Sequence, residues 1–360
     1  MKSWADWSKW VAVGAVGAAM SVAAFNVIID PYSVFGTNEG MRPGYNPNER
    51  YRKIEHLKRH MGEYDSFVIG ASTMGLMPNE GLKDFRPEGR WYNMSFLAGT
   101  PPEVMRALDF LKKKGMPIKE VVYGIDMFAF RKIEAHRQLW RQEHPDITGE
   151  SQYSWIKRNV FGSTLMDGTE RLTHNWLNER AKLIFDFDGT GRYYLARWDS
   201  EIERDHEAFI KKQIYEKYNL GNKKPKPAGV ALVKERFDEL AELKAWLDAN
   251  GVKAHFWINP IHWKNMETVD DKTMAEFRKG VRLAVGDVPD YTLREDIYRD
   301  DKMFYEWQHF RPVAGYKILS EVLGGRSPGK GEDGTAVKTS MQEVGSPADR
   351  PAHQVQVVSR

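Results

Sequence analysis

Twenty consecutive uncharged residues, WVAVGAVGAAMSVAAFNVII at positions 10–29, constrain this chain more than any other feature. At about 1.5 Å of rise per residue, a helix of that length spans roughly the 30 Å hydrocarbon core of a bilayer. Lys2 and Lys9 precede the run, which favours a cytoplasmic N-terminus of residues 1–9. Trp4, Trp7 and Trp10 recur every third residue, a spacing suited to one face at headgroup level, and Asp30, Pro31 and Tyr32 make a polar exit. Two other readings stay open: a signal segment cleaved after the Val22-Ala23-Ala24 tripeptide, or a buried helix of a soluble fold. The lack of any polar face argues against the latter. The expectation is an uncleaved single-pass anchor at 10–29 in the cytoplasmic (inner) membrane, with the remaining chain on the extracytoplasmic, periplasmic side. No later apolar run approaches this length.

The rest of the 360 residues has the composition of a globular protein, 41% hydrophobic and 29% charged. A net charge of +3, evenly spread, gives no nucleic-acid footprint. Zero cysteines exclude disulfides, thiolate metal sites and a lipidated cysteine.

Beyond the turn-rich segment DPYSVFGTNEGMRPGYNPNERY, the chain alternates. ERYRKIEHLKRHMGEY reads as a helix, DSFVIG as a buried strand, RWYNMSF as a second strand, PPEVMRALDFLKKKG as a helix entered through proline and left through glycine, and KEVVYGIDMFAF as a third strand. Strand, helix and strand at this spacing predict a parallel sheet with crossover helices. The alternation stops over residues 131–229, an insertion expected to be irregular. It carries Trp140, Trp155, Trp176 and Trp198 among many planar polar side chains, either as a carbohydrate-binding surface or as the insertion's own small core. VALVKERFDELAELKAWLDANG, VKAHFWINPIH, DKTMAEFRKGVRLA and RPVAGYKILSEVLGG then give a helix, a strand and two helices. Residues 326–360 are too poor in large apolar groups to offset their ordering entropy and are expected to be disordered.

In a sheet of this kind the chemistry sits at the C-terminal strand ends. Ser72 lies there, in FVIGASTMGLMPNEG, either as a nucleophile or as the cap of the following helix. Asn93 ends the second strand, Asp126 the third, and Asn259 and His262 the strand after the insertion. Glu306 and His309 stand three apart in MFYEWQHFRP, just before the last helix. At that spacing a carboxylate can fix an imidazole tautomer and leave the far nitrogen free to take a proton from a serine.

At these residues the chain resembles the SGNH/GDSL hydrolase superfamily, and more closely its membrane-anchored branch of alginate O-acetyltransferase-like and teichoic-acid D-alanylation-like proteins. VIGAST, YNMSFLAGTPPEVM, VVYGIDMFAF and YEWQHFRPVAGYKIL correspond in order to that branch's four blocks, across residues 30–323 with the insertion unmatched. The resemblance implies a three-layer α/β/α, flavodoxin-like domain over residues 30–325. It implies Ser72 as nucleophile, His309 as general base and Glu306 as its orienting carboxylate. The oxyanion donors would be the Ser72 N–H with Asn93, or the backbone around Gly99; His262 is a candidate for substrate binding. The implied reaction is O-acylation or deacylation of a cell-surface or exopolysaccharide. An integral-membrane acyl donor protein is the implied partner, and no metal or cofactor is expected. Two departures bear on this. Glu306 stands where the family has aspartate, and Asp126 where typical members place an asparagine donor; a carboxylate repels an oxyanion unless protonated or turned away. Those departures keep a second reading open, a catalytically degenerate module that binds a glycan or scaffolds an assembly complex.

Overall fold

The computed structural model describes residues 4–37, 47–131, 139–176, 184–217 and 229–324. The expected tail from residue 326 lies outside them, as do the side chains of Trp140 and Trp176.

Helix α1, Trp4–Ile29, is long and apolar enough to cross a membrane. It begins ahead of the uncharged run and takes in Trp4 and Trp7, and all three early tryptophans are exposed. Helix α2, Glu49–Arg59, starts at Asn48, whose side chain accepts the Tyr51 N–H. Strand β1, Ser66–Gly70, is buried at every position. After it come α3, Asn79–Phe85, β2, Trp91–Asn93, and α4, Pro101–Lys113. The start of α4 combines a proline in its first turn with a reciprocal Thr100–Glu103 capping box, so the sequence specifies that terminus twice. Strand β3, Glu120–Ile125, closes this half.

The insertion is not irregular. Its described residues form helices α5, Pro145–Thr148, α6, Gln152–Gly162, and α7, Leu165–Trp176. A two-stranded antiparallel pair follows, β4, Ile184–Phe185, with β5, Tyr193–Tyr194, and then α8, Ala196–Arg204, and α9, His206–Ile210. The helices are short and largely polar, so their starts are written in capping residues, Ser151 for α6 and Asp205 for α9, rather than in long apolar periodicity. Trp155 stacks on Tyr51, and Trp198 packs on Phe209 and Tyr305; both indoles are buried. These two tryptophans are core, not an exposed carbohydrate platform.

The second half supplies α10, Glu235–Ala249, β6, Lys253–Ile258, α11, Trp263–Met266, α12, Asp271–Val285, α13, Glu295–Tyr298, and α14, Pro312–Val322. Four strands form one parallel sheet in the order β2–β1–β3–β6. Successive strand residues face opposite ways, as the two-residue strand period requires. Phe67, Ile69, Val121, Tyr123, Phe256 and Ile258 meet apolar side chains of α2, α4, α10 and α12. Val68, Val122 and Trp257 meet α3 and α14 on the other face. A mixed α/β domain with a covered parallel sheet is therefore present. The chain runs outward from β1 to β2, then returns to β3 and β6. That reversal falls between β1 and β3, the place where sheets of this kind form a ligand crevice beyond their C-terminal strand ends.

Gly124, near the end of β3, has no room for a side chain. A Cβ there would lie 2.2 Å from Asn259 Oδ1 and 2.4 Å from Met74 Sδ. Gly124→Ala should therefore cost about 1–3 kcal/mol of stability by overpacking. Urea titration of the full chain in detergent checks this, and an unchanged midpoint would show that Asn259 and Met74 do not close on the strand.

Candidate active site

Strand β1 ends at Gly70, and the chain turns at once into a 3₁₀ helix, Ser72–Leu76. Ala71 occupies the capping position, so Ser72 is not the cap. A chain of buried polar groups holds the turn from below. Trp257 Nε1 donates to Asn259 Oδ1 at 2.8 Å, Asn259 Nδ2 donates to Thr73 Oγ1 at 2.8 Å, and Thr73 Oγ1 donates to Asp126 Oδ2 at 3.3 Å. From the insertion, the Tyr193 hydroxyl donates to the Ser72 carbonyl, and its ring lies where a Cβ on Gly75 would stand.

Glu306 and His309 occupy a loop pinched shut by the Phe304–Phe310 bridge and by Tyr305 N–H donating to His309 O at 2.9 Å. Its flanks are tied down on both sides of the site. The Tyr305 hydroxyl donates to Asp199 of α8, Trp307 Nε1 to Ile214 O at 2.9 Å, and Asn265 Nδ2 of α11 to Trp307 O at 3.1 Å. Inside the loop the longer glutamate arm folds back on its own backbone. Oε1 accepts the His309 N–H at 2.9 Å and Oε2 the Gln308 N–H at 3.2 Å. Oε1 also meets His309 Nδ1. An ionised carboxylate only accepts, so Nδ1 carries the imidazole proton and Nε2 is left as the acceptor.

Nε2 lies 2.9 Å from Ser72 Oγ, joining residues 237 apart in sequence. Glu306 is buried, with 7% of its side chain exposed, while the His309 side chain is 25% exposed and Ser72 is half-buried. The carboxylate is thus shielded and the two groups that would meet a substrate are not. In this geometry Ser72 can pass its proton to His309, and Glu306 can hold the resulting imidazolium.

The other predicted site residues take different positions. Asn93 is fully buried and its side chain is committed: Nδ2 donates to Met74 O at 2.8 Å, and Oδ1 accepts from Ser95 N at 3.1 Å and Ser95 Oγ at 2.6 Å. It pins the Ser72 turn to the β2 end rather than facing a ligand. The Gly99 N–H already donates to Phe96 O at 2.9 Å. The N–H groups of Ser72 and Thr73, by contrast, precede the first bond of the turn, Met74 N to Ala71 O at 3.0 Å, and such groups have no acceptor within the helix.

Asp126 is a cap. Its Oδ1 accepts the Phe128 N–H at 2.9 Å, and its Oδ2 takes the Thr73 hydroxyl. Burial pushes this carboxyl above the usual range, against the pull of the Phe128 bond. His262 is fully buried, so it does not offer its ring to a substrate. Its Nδ1 accepts the Lys264 N–H at 3.2 Å and its Nε2–H reaches Asp301 at 2.9 Å, bracing α11 against the segment that leads into the Glu306 loop.

The sequence reading missed the supports Thr73 and Tyr193. Thr73 is adjacent to Ser72 and carried a signal in that adjacency. Tyr193 sits in the insertion, with no local pattern that ties it to Ser72.

No protein-family model matches the chain, and no curated protein matches it either.

The raised Asp126 pKa sets a pH dependence of stability. The folded chain binds a proton there more tightly than the unfolded chain, so this group's contribution is lost as pH rises from 3.8 through the raised value. Asp126→Asn removes that slope. Urea midpoints of parent and variant across the acid range should diverge in the variant's favour as pH climbs toward neutrality; parallel curves would show that the carboxyl titrates normally.

Proposed function

We propose that this chain is a membrane-anchored serine O-acyltransferase or esterase of the SGNH type, acting outside the cytoplasmic membrane on a cell-surface polysaccharide. One observation carries the chemistry: the 2.9 Å contact between Ser72 Oγ and a His309 imidazole whose other nitrogen is held by Glu306. The parallel sheet with helices on both faces, and the site's position at the β1 and β3 ends, are what the flavodoxin-like SGNH architecture requires. Serine ahead of a carboxylate-x-x-histidine loop follows that group's order.

Ser72 Oγ attacks the acyl carbonyl while His309 Nε2 takes the hydroxyl proton. The N–H groups of Ser72 and Thr73, which open the turn, would receive the oxyanion. Collapse of the tetrahedral intermediate expels the leaving alcohol, which regains a proton from His309, and leaves an acyl ester on Ser72. A sugar hydroxyl, or water, then attacks that ester while His309 takes its proton; the second intermediate breaks the acyl–Oγ bond, and His309 returns the proton to Ser72. Transfer to a sugar requires that water be kept out of the crevice. An acetyl group and an integral-membrane donor protein are the reading the resemblance favours. The exposed, apolar α1 supports the anchor, and Lys2 and Lys9 ahead of it support the extracytoplasmic side. Glu306 sits one methylene further from its backbone than the family's aspartate, and the fold-back of its arm onto residues 308 and 309 absorbs that length.

Ser72→Ala should lower acetate release from an activated acetyl ester by about 10³-fold or more, the scale on which triad nucleophiles act. The same change should abolish labelling by a fluorophosphonate probe. Undiminished activity in the variant would refute the mechanism. A folded parent that takes no label yet retains a polysaccharide would favour the glycan-binding module instead.

A further inference from the structure

Outside α1, the described residues expose eight large apolar side chains, and five of them lie within residues 153–166. These are Tyr153, Ile156 and Phe161 on α6 and Leu165 and Met166 at the start of α7, between 46% and 75% exposed. Tyr153, Ile156 and Phe161 fall within about 140° of the α6 circumference at 100° per residue. Lys157 shares that arc, while Trp155 and Asn159 point the other way and are buried. A concentration of apolar groups of this kind on a water-soluble surface marks a place of contact.

Its location identifies the occupant. The turn joining α6 to α7 grips the last turns of α1. Asn26 Nδ2 donates to Val160 O at 2.7 Å and to Ser163 O at 2.9 Å, using carbonyls at the end of α6 that have no partner within the helix. Gly168 admits the Phe25 ring, which would lie 2.3 Å from a Cβ there, and Arg171 reaches Ser33 Oγ at 3.3 Å just past the α1 end. Asn26 precedes the end of α1 by three residues, about 5 Å along the axis. A span of roughly 30 Å that begins near Trp10 ends near Ile29, so the α6–α7 turn sits at the depth where hydrocarbon gives way to headgroups.

We infer that the α6–α7 hairpin is a second membrane contact, inserted in the outer interface beside α1 with Phe161, Leu165 and Met166 toward the acyl chains and Lys157 toward the phosphates. Such interfacial elements bury an apolar face by about 5–10 Å. The inference rests on α1 being a membrane anchor. It adds that the domain is not merely tethered but seated at a fixed rotation on the lipid surface.

The cysteine-free chain makes the test direct. Single cysteines replace Phe161, Met166, Val16 and Leu283, each carrying a nitroxide label, in full-length protein reconstituted into phosphatidylcholine–phosphatidylglycerol vesicles. Val16 is exposed on α1 and Leu283 is exposed on α12. Collision with a water-soluble nickel chelate should be several-fold lower at 161 and 166 than at 283. Collision with oxygen at 161 and 166 should be higher than at 283, with 16 deeper still. Nickel access at 161 and 166 equal to that at 283, with 16 in lipid, overturns the inference and spares the anchor. Nickel access at 16 overturns the anchor and the inference together. Protection of 161 and 166 from both quenchers means that a protein, or a second copy, covers the face, and also overturns it.

Discussion

Ser72 can meet His309 only because the turn after β1 is held in place by buried polar groups on its underside. The row from Trp257 through Asn259 and Thr73 to Asp126 crosses from β6 to β3 and fixes the turn by hydrogen bonds that water cannot contest. Asn93 adds a hold from the β2 side through the Met74 carbonyl. Between them these residues stand at the ends of all four strands, with Trp257 and Asn259 both at β6, so the sheet order itself brings them under the serine. A buried network of this sort is costly when incomplete, and here each member named has a partner. Met74, Thr73 and Gly124 are thus as much part of the site as the hydroxyl they place.

The insertion supplies what the sheet cannot. Its small core, built from Phe185, Phe187, Tyr193, Trp198 and their neighbours, closes against Leu76 on one side and Tyr305 on the other. Those two residues belong to the serine turn and the histidine loop. Tyr193 and Asp199 then bond to each in turn. The insertion is a bracket between the two halves of the candidate triad, and the same segment grips the end of α1 through α6 and α7. Helix α1 and the candidate triad are therefore connected through one segment rather than through the sheet.

Much of this was legible in the amino-acid order. All four sheet strands and the helices α2, α4, α10, α12 and α14 announce themselves through apolar runs, proline entries and glycine exits, because each buries a face against the main core. Ser72, Glu306 and His309 could be picked out for the same reason: strand ends and a three-residue spacing are local signals. The insertion was opaque because its helices are short and its core is shared with distant segments, so no periodicity within it is long enough to read. For Asn93, Gly99 and His262 the sequence leaves the role open for one common cause. Position at a strand end says that a polar group lies near the crevice, but only the partners show whether it faces a ligand or is used up beneath it.

The partners also resolve the difficulty posed by Asp126. A carboxylate near an acyl-transfer site is a hazard only if its charge faces the oxyanion. Asp126 turns one oxygen to the Phe128 N–H and the other to Thr73, and burial pushes it toward its neutral form. Glu306 bonds directly to the imidazole and is tied to its own loop. Glu306 and Asp126 are thus each committed to bonds within their own loop or turn. An aspartate at the third strand end is compatible with nucleophilic chemistry at Ser72 because it serves the turn and not the substrate.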